Sequence, residues 1–248
     1  MSDERVVLVT GGGSGIGRAT VQLFAAAGAR VAAADVNLDG AKDTVDGSGA
    51  DGSLAVAVDV TSPESVEAMV AEVVERFGRL DVAVNAAGVS GAFANTADQE
   101  VAEWHRVIDV NLNAVFLSMR AELPALLASG EGGAIVNVAS AAGSMGVPGM
   151  SPDSASKHGV IGLTKTAALE YARQGIRINA VLPGLVRTPM LRAFAGSDEG
   201  IDAMAKPSPI GRAAEPEEIA QAIAWLCNPE SSYVTGHTLA VDGGTLAT

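Results

Sequence analysis

Positive charge is scarce in this chain: 16 Lys and Arg stand against 29 Asp and Glu, for a formal charge of −13. Phosphate backbones are held by clustered Lys and Arg, so nucleic acid is excluded as a partner and an anionic membrane surface is disfavoured. The acidity serves solubility. Cysteine is almost absent. The one thiol, Cys227, cannot close an internal disulfide, and its neighbours Ile223, Trp225 and Leu226 mark it as a buried side chain of a cytoplasmic protein. Histidine is equally sparse: His105 and His237 are isolated and lack metal-ligand spacing, and no metal site is expected. Two Trp and two Tyr make no aromatic stripe. No apolar run reaches membrane-spanning length, and the start, Met1-Ser2-Asp3-Glu4-Arg5, enters an apolar run too soon to hold a signal peptide. Also missing is any Pro/Gly/Ser-rich or like-charged stretch that would separate two apolar halves, so residues 1–248 are expected to form one domain.

What the chain does have is alternation. Short β-branched runs at Val6–Thr10, Arg30–Ala34, Leu54–Val58, Val82–Asn85, Ala134–Ala139, Ile176–Leu182 and Thr238–Val241 are separated by longer segments of helical period. That order predicts an α/β fold of Rossmann type, a doubly wound parallel sheet of about seven strands with helices on both faces. Val66, Met69, Val70, Val73, Val74 and Phe77 fall at helical spacing, with Ser62-Pro63-Glu64 to start the helix and Gly78 to stop it. Similar apolar faces are expected at Leu112, Val115, Phe116, Met119 and Leu123, and at Ile219, Ile223 and Leu226. The long stretch from Gly184 to Pro216 has no strand character and follows a strand's C-terminal end. It reads as a substrate loop or lid, with a surface excursion as the alternative.

The first strand runs directly into Gly11-Gly12-Gly13-Ser14-Gly15-Ile16-Gly17, after which a helix opens through Ala19, Val21, Leu23 and Phe24. A strand that turns sharply into a helix presents free N–H groups and a positive dipole end, and glycines there let a pyrophosphate approach. Without the strand and helix, the glycines would signal only a flexible turn. Asp35 lies 20 residues beyond Gly15, at the end of the second strand. Its carboxylate can accept from both adenosine ribose hydroxyls and would repel a 2′-phosphate, which favours NAD over NADP. A turn-capping Asp is the alternative. No Gly-Lys-Ser/Thr follows the glycines, so a triphosphate P-loop is excluded.

With these features in place, the sequence resembles the short-chain dehydrogenase/reductase family over nearly its whole length. The motifs that carry the resemblance are Thr10-Gly11-x-x-x-Gly15-Ile16-Gly17, Asp59-Val60, Asn85-Ala86-Ala87-Gly88, Asn111, Ser140, Lys157, Pro183-Gly184 and Thr188. The resemblance implies that Gly11, Ser14, Gly15, Ile16, Gly17 and Asp35 bind the cofactor, and that Asp59 and Val60 hold its adenine. It implies too that Asn85, Ala86 and Gly88 stabilise the central strand and line the cleft, that Lys157 binds the nicotinamide ribose, and that Pro183, Gly184 and Thr188 cradle the nicotinamide. Asn111, Ser140, residue 153 and Lys157 would form the catalytic set, and a homotetramer is expected from the C-terminal strand Thr238–Val241.

One catalytic position departs from the family. The family has Tyr four residues before the Lys and thirteen after the Ser, and both counts lead to Asp153. A phenol beside an ammonium can protonate a developing alkoxide. A carboxyl group, with an ordinary pKa of about 3.9 lowered further by the same ammonium, is expected to be an anion without a proton to give; protonating it at pH 7 would cost about 4 kcal/mol. It is also shorter, so the substrate oxygen is expected to lie out of its direct reach, with a water able to bridge the gap. Asp153 and Lys157 stand four residues apart on a helix and are alternatively a simple ion pair.

Three readings follow from the residues. The first is an NAD(H)-dependent oxidoreductase of a secondary alcohol or ketone, impaired at position 153, with a small hydrophobic substrate suggested by Phe93, Val147, Leu185 and Phe194. The second is a redox-neutral isomerase, dehydratase or cyclase that uses Asp153 as a general base. The third is a catalytically silent dinucleotide-binding protein. Retention of Asn111, Ser140 and Lys157 favours the first. Ser140, Asp153 and His158 do not make a hydrolase triad, since the Ser lacks its Gly-x-Ser-x-Gly elbow. Met145, Met150, Met190 and Met204 fall in or beside the candidate substrate loops, where gap filling explains them equally well.

Overall fold

The structure is a computed structural model that describes residues 5–49 and 52–247. The first four residues, on which the expected absence of a signal peptide rests, lie outside them. Seven parallel strands form one sheet: β1 (Val6–Thr10), β2 (Arg30–Asp35), β3 (Leu54–Ala57), β4 (Val82–Asn85), β5 (Gly133–Val138), β6 (Ile176–Pro183) and β7 (Thr238–Val241). Their spatial order is β3-β2-β1-β4-β5-β6-β7. The chain thus winds outward from β1 in one direction and from β4 in the other, and the crevice for a ligand lies where the two halves part, at the C-terminal ends of β1 and β4.

The strands are apolar on both sides because both sides are covered. Along β1 the period of two sends Val6 and Leu8 into one core and Val7 and Val9 into the other. On the first side lie α3 (Pro63–Phe77), α5 (Ala114–Ser129) and α6 (Ser151–Tyr171); on the second, α1 (Gly15–Ala26), α2 (Leu38–Ser48) and α9 (Pro216–Cys227). Several strand ends differ from expectation by one residue, yet pairing continues past them: Val58 N–H donates to the Asp35 carbonyl at 3.0 Å and Ala139 N–H to the Val181 carbonyl at 2.9 Å.

α3 forms as its sequence dictates. The Ser62 hydroxyl accepts from Ser65 N–H at 3.2 Å, Pro63 occupies the first turn, and Gly78 ends the helix at φ +83°. The next apolar face needs correction. After α4 (Val101–Ile108), residues Asp109–Asn113 make a π-helical turn before α5 begins. The extra residue rotates the register, so Val115, Met119, Leu123 and Leu126 are buried while Phe116 is half exposed. Leu112 packs instead against α6, where a Cβ on Gly159 would come within 2.7 Å of it.

The segment after β6 folds into two short helices, α7 (Pro189–Ala195) and α8 (Asp198–Ala205). Ile201, Ala205 and Ala213 give it a small core of its own. The Arg187 guanidinium ties it down, bonding Asp202 at 2.7 Å and Glu215 at 3.2 Å. A single bridge between Val186 and Ala214 returns the chain to α9.

Candidate active site

A continuous cavity of about 1010 Å³ runs along the C-terminal edge of the sheet, from Gly11 and Asp35 past Ser140 and Lys157 to Met204. At its first end β1 turns into α1 with little room. A Cβ on Gly17 would lie 2.1 Å from the Gly11 carbonyl oxygen, and one on Gly11, at φ +70°, would lie 2.8 Å from the Ala86 backbone. Ser14 precedes α1 without capping it through its side chain, and Gly15, Ile16 and Gly17 line the cavity, so the unpaired N–H groups of the first turn are available to an anion.

Asp35 lines the same end. One carboxylate oxygen accepts Gly13 N–H at 2.9 Å and the other accepts Asn37 N–H at 2.9 Å. The turn-capping role and the cavity-lining role therefore coexist in one side chain. The nearby Arg18 guanidinium is engaged by the Gly13 carbonyl at 2.6 Å and by the Thr44 hydroxyl at 3.0 Å. Val36, next to the acid, is 80 % exposed. Asp59 and Val60 line the adjoining wall, and hydrogen bonds from the Thr61 hydroxyl and N–H hold the Asp59 carboxyl below its usual range.

Ala86 and Gly88 line the cavity, but Asn85 does not. Its side chain turns into the sheet layer, donating to Glu122 at 3.1 Å and to Asn137 at 3.0 Å, because β4 alternates faces and position 85 points inward. Asn111 sits in the π-helical turn and clasps Val89 through both ends of its amide, accepting Val89 N–H at 2.8 Å and donating to its carbonyl at 2.9 Å. Both Asn111 and Lys157 face Gly88: a Cβ there would lie 3.2 Å from Asn111 Oδ1 and 3.9 Å from Lys157 Nζ.

Ser140 starts a short 3₁₀ turn, accepts Ala142 N–H at 3.1 Å and faces the cavity. Asp153 occupies the first turn of α6 and is buried at 8 % exposure. It does not pair with Lys157. The Lys157 ammonium donates to the Val138 carbonyl at 3.0 Å, whereas the Asp153 carboxylate accepts Gly91 N–H at 3.1 Å, so the two side chains have different partners. The ammonium lowers the Asp153 pKa as expected, but the net shift is the other way. Burial raises its pKa, outweighing the Gly91 N–H and the Lys157 charge. Burial likewise pulls Lys157 down to about 8, against the opposing effect of Asp153.

Pro183, Gly184 and Thr188 close the cavity, with the Thr188 methyl 3.1 Å from where a Cβ on Gly15 would stand. Beyond Lys157 the lining becomes apolar: Met145, Val147, Met150, Leu185, Met190, Phe194 and Met204. Phe93 is not among them. The bridge between Ala94 and Met150 turns its ring outward over Gly149, leaving it 68 % exposed. His158 is exposed, its ring nitrogen 2.8 Å from the Ser154 carbonyl.

Two features escaped the reading of the sequence. Glu103 and Arg106 of α4 latch the loop above Asp153, Glu103 accepting Ala92 N–H at 2.9 Å and Arg106 donating to the Ser90 carbonyl at 2.8 Å. Behind the site, Glu122 of α5 is wholly buried beside Asn85, and burial pushes it up to about 7. A signal for it existed: Val115, Met119, Glu122 and Leu126 share one helix face, and a lone acid there is an anomaly. Among the described residues, no group of three or more His, Cys, Asp or Glu could hold a metal ion, and no helix is long and apolar enough to cross a membrane.

The donor set fits a dinucleotide: free helix N–H groups for the pyrophosphate, a carboxylate for a ribose, and a buried ammonium farther along one cavity. Known proteins resemble the chain in sequence and fold. The family model described as enoyl-(acyl carrier protein) reductase matches residues 11–245. A cyclohexanol dehydrogenase of Acinetobacter sp. is 48 % identical, the match covering 97 % of this chain and 94 % of that protein. A 2,5-dichloro-2,5-cyclohexadiene-1,4-diol dehydrogenase of Sphingobium indicum is 43 % identical over 100 % of both. Among solved structures, levodione reductase superposes with a TM-score of 0.95 at 37 % identity, covering 100 % of both chains. A single-substitution form of actinorhodin polyketide ketoreductase with NADPH gives 0.92 at 39 % identity and 99 % of both chains. The chain belongs to the short-chain dehydrogenase/reductase family, oxidoreductases that work with a nicotinamide dinucleotide.

Proposed function

We propose that the protein is an NAD(H)-dependent oxidoreductase of cyclic secondary alcohols and their ketones, slowed by the carboxylate at position 153. The observation that carries this reading is the single cavity that joins the α1 N-terminus and Asp35 to Ser140, Lys157 and an apolar end. Relatives named for cyclohexanol and a cyclohexadiene diol support the substrate class.

When bound, the nicotinamide supplies or accepts hydride. The chain's own residues do the rest. Free N–H groups at Gly15, Ile16 and Gly17 hold the pyrophosphate. Each Asp35 oxygen accepts one backbone N–H, which leaves lone pairs for ribose hydroxyls, and a 2′-phosphate would meet negative charge with Arg18 already engaged. Lys157 holds the nicotinamide ribose, with Pro183, Gly184 and Thr188 enclosing the ring. The Ser140 hydroxyl has its hydrogen free to donate to the substrate oxygen, and Met190, Phe194 and Met204 exclude water around it. Asp153 stands where the family resemblance puts a phenol, but it is a shorter group whose carboxylate accepts the Gly91 N–H. Proton transfer is therefore the slow function.

One observation favours a second reading. Burial raises the Asp153 pKa, as suits a general base in a redox-neutral reaction. A substrate panel run with and without NAD(H), on this chain and on Asp153→Tyr, separates the two. Hydride transfer gained by the Tyr form supports the oxidoreductase; a redox-neutral turnover lost in it supports the alternative. We also infer a cytoplasmic homotetramer, in keeping with the lone buried thiol and with exposed apolar side chains at Phe116, Leu169, Trp225 and Tyr233.

A further inference from the structure

We propose that in this chain Lys157 is itself the acid and base of the reaction, exchanging the substrate proton through one water molecule in place of Asp153. The inference rests on the oxidoreductase reading above. Lys157 Nζ lines the cavity and has one protein acceptor, the Val138 carbonyl at 3.0 Å; its two other N–H bonds have none among the described residues. The side chain that would neutralise it, Asp153, is turned away to Gly91. Asn111 Oδ1 and Lys157 Nζ both face Gly88, at 3.2 and 3.9 Å from where its Cβ would stand, and Ser140 lines the same cavity. A carboxylate is shorter than a phenol and leaves space in which a water can bridge the two.

The balance is simple. In alcohol oxidation the carbinol C–H bond breaks and its electron pair leaves as hydride to reduce the nicotinamide. The O–H proton passes to the water, and a proton of that water passes to the neutral amine. In ketone reduction the ammonium returns it. The amine must be neutral to accept a proton, and burial, by lowering Lys157 to about 8, makes the neutral form the major one in the mildly alkaline range. The charged groups around it are few. Asp153 on the same helix favours the ammonium, Arg106 on α4 acts on Asp153, and Asp109 lines the cavity from the π-helical turn.

The test uses cyclohexanol and NAD⁺ from pH 6 to 10, with NADH binding followed by fluorescence and Lys157 titrated in the resting protein by the pH dependence of its acetylation, read by peptide mass spectrometry. The expected result is turnover that rises with pH to a plateau, with a midpoint near 8 that matches the acetylation midpoint. Asp153→Asn keeps the rising limb and moves it to lower pH, because the anion that favours the ammonium is gone. Lys157→Arg, compared at saturating dinucleotide as set by the NADH titration, loses the limb and about 10²-fold or more in turnover, the usual scale for a positioned acid or base. A limb that vanishes in Asp153→Asn, an Arg variant of undiminished rate, or a Lys157 midpoint at the ordinary 10.5 overturns the proposal. So does a complete lack of turnover. In that case Asp153→Tyr decides the wider reading: an active Tyr form keeps the oxidoreductase and discards the lysine, and an inactive one discards both.

Discussion

The Asp153 carboxylate accepts the backbone N–H of Gly91 at 3.1 Å, fastening the first turn of α6 to the loop that follows β4. This bond gives the buried carboxyl group a partner other than Lys157, and it makes Asp153 a structural member of the site.

Removing it leaves the Gly91 N–H without an acceptor in a buried position. Asp153→Ala is expected to lower unfolding stability by about 1–3 kcal/mol, and Asp153→Asn, which keeps an acceptor oxygen, by less. Urea unfolding at pH 7 measures both. Equal stability of all three forms contradicts the latch.

The role proposed for Asp35 is to select the dinucleotide. NADH is expected to bind more tightly than NADPH, and Asp35→Ala to narrow the gap. Fluorescence titration decides; equal affinities in the unaltered chain remove Asp35 from the role.

Glu122 makes stability depend on pH. Its pKa rises from an ordinary 4.5 in the unfolded chain to about 7 in the fold, so the folded state holds the proton more tightly. Its contribution is fully present below 4.5 and is lost as pH rises through 7. The span of 7 − 4.5 corresponds to about 3 kcal/mol. Glu122→Gln cannot ionise, so its stability relative to the unaltered chain is expected to improve by up to that amount between pH 5 and pH 8. An offset independent of pH contradicts this.

Assembly is tested by light scattering at micromolar concentration. A mass near four chains is expected, and a monomer refutes the proposed tetramer.

Much of this was legible beforehand. The seven strands, the glycine turn into α1 and the Ser62-to-Gly78 limits of α3 follow from local chemistry: β-branched runs, tight approach at Gly11 and Gly17, a cap and a stop. What local pattern could not supply was direction. Asp153 and Lys157 have the spacing of an ion pair, yet tertiary partners, Gly91 N–H and the Val138 carbonyl, draw them apart. Asn85 sits in a motif that resembles cofactor-binding ones, but the strand's alternation turns its amide to Glu122. Phe116 and Phe93 also depart from the simple pattern: a π-helical turn, which a 3.6-residue period does not anticipate, precedes the first, and the Ala94–Met150 bridge, a contact distant in sequence, adjoins the second.

The most direct test of the account is the rate of ketone reduction with NADH by this chain and by Asp153→Tyr, on a cyclic ketone that the Tyr form accepts. Restoring a positioned phenol is expected to raise turnover by about 10²–10⁴-fold, with NADH affinity little changed because Gly15, Gly17, Asp35 and Lys157 are untouched. An Asp153 chain that reduces the ketone as fast as its Tyr form, or faster, contradicts it.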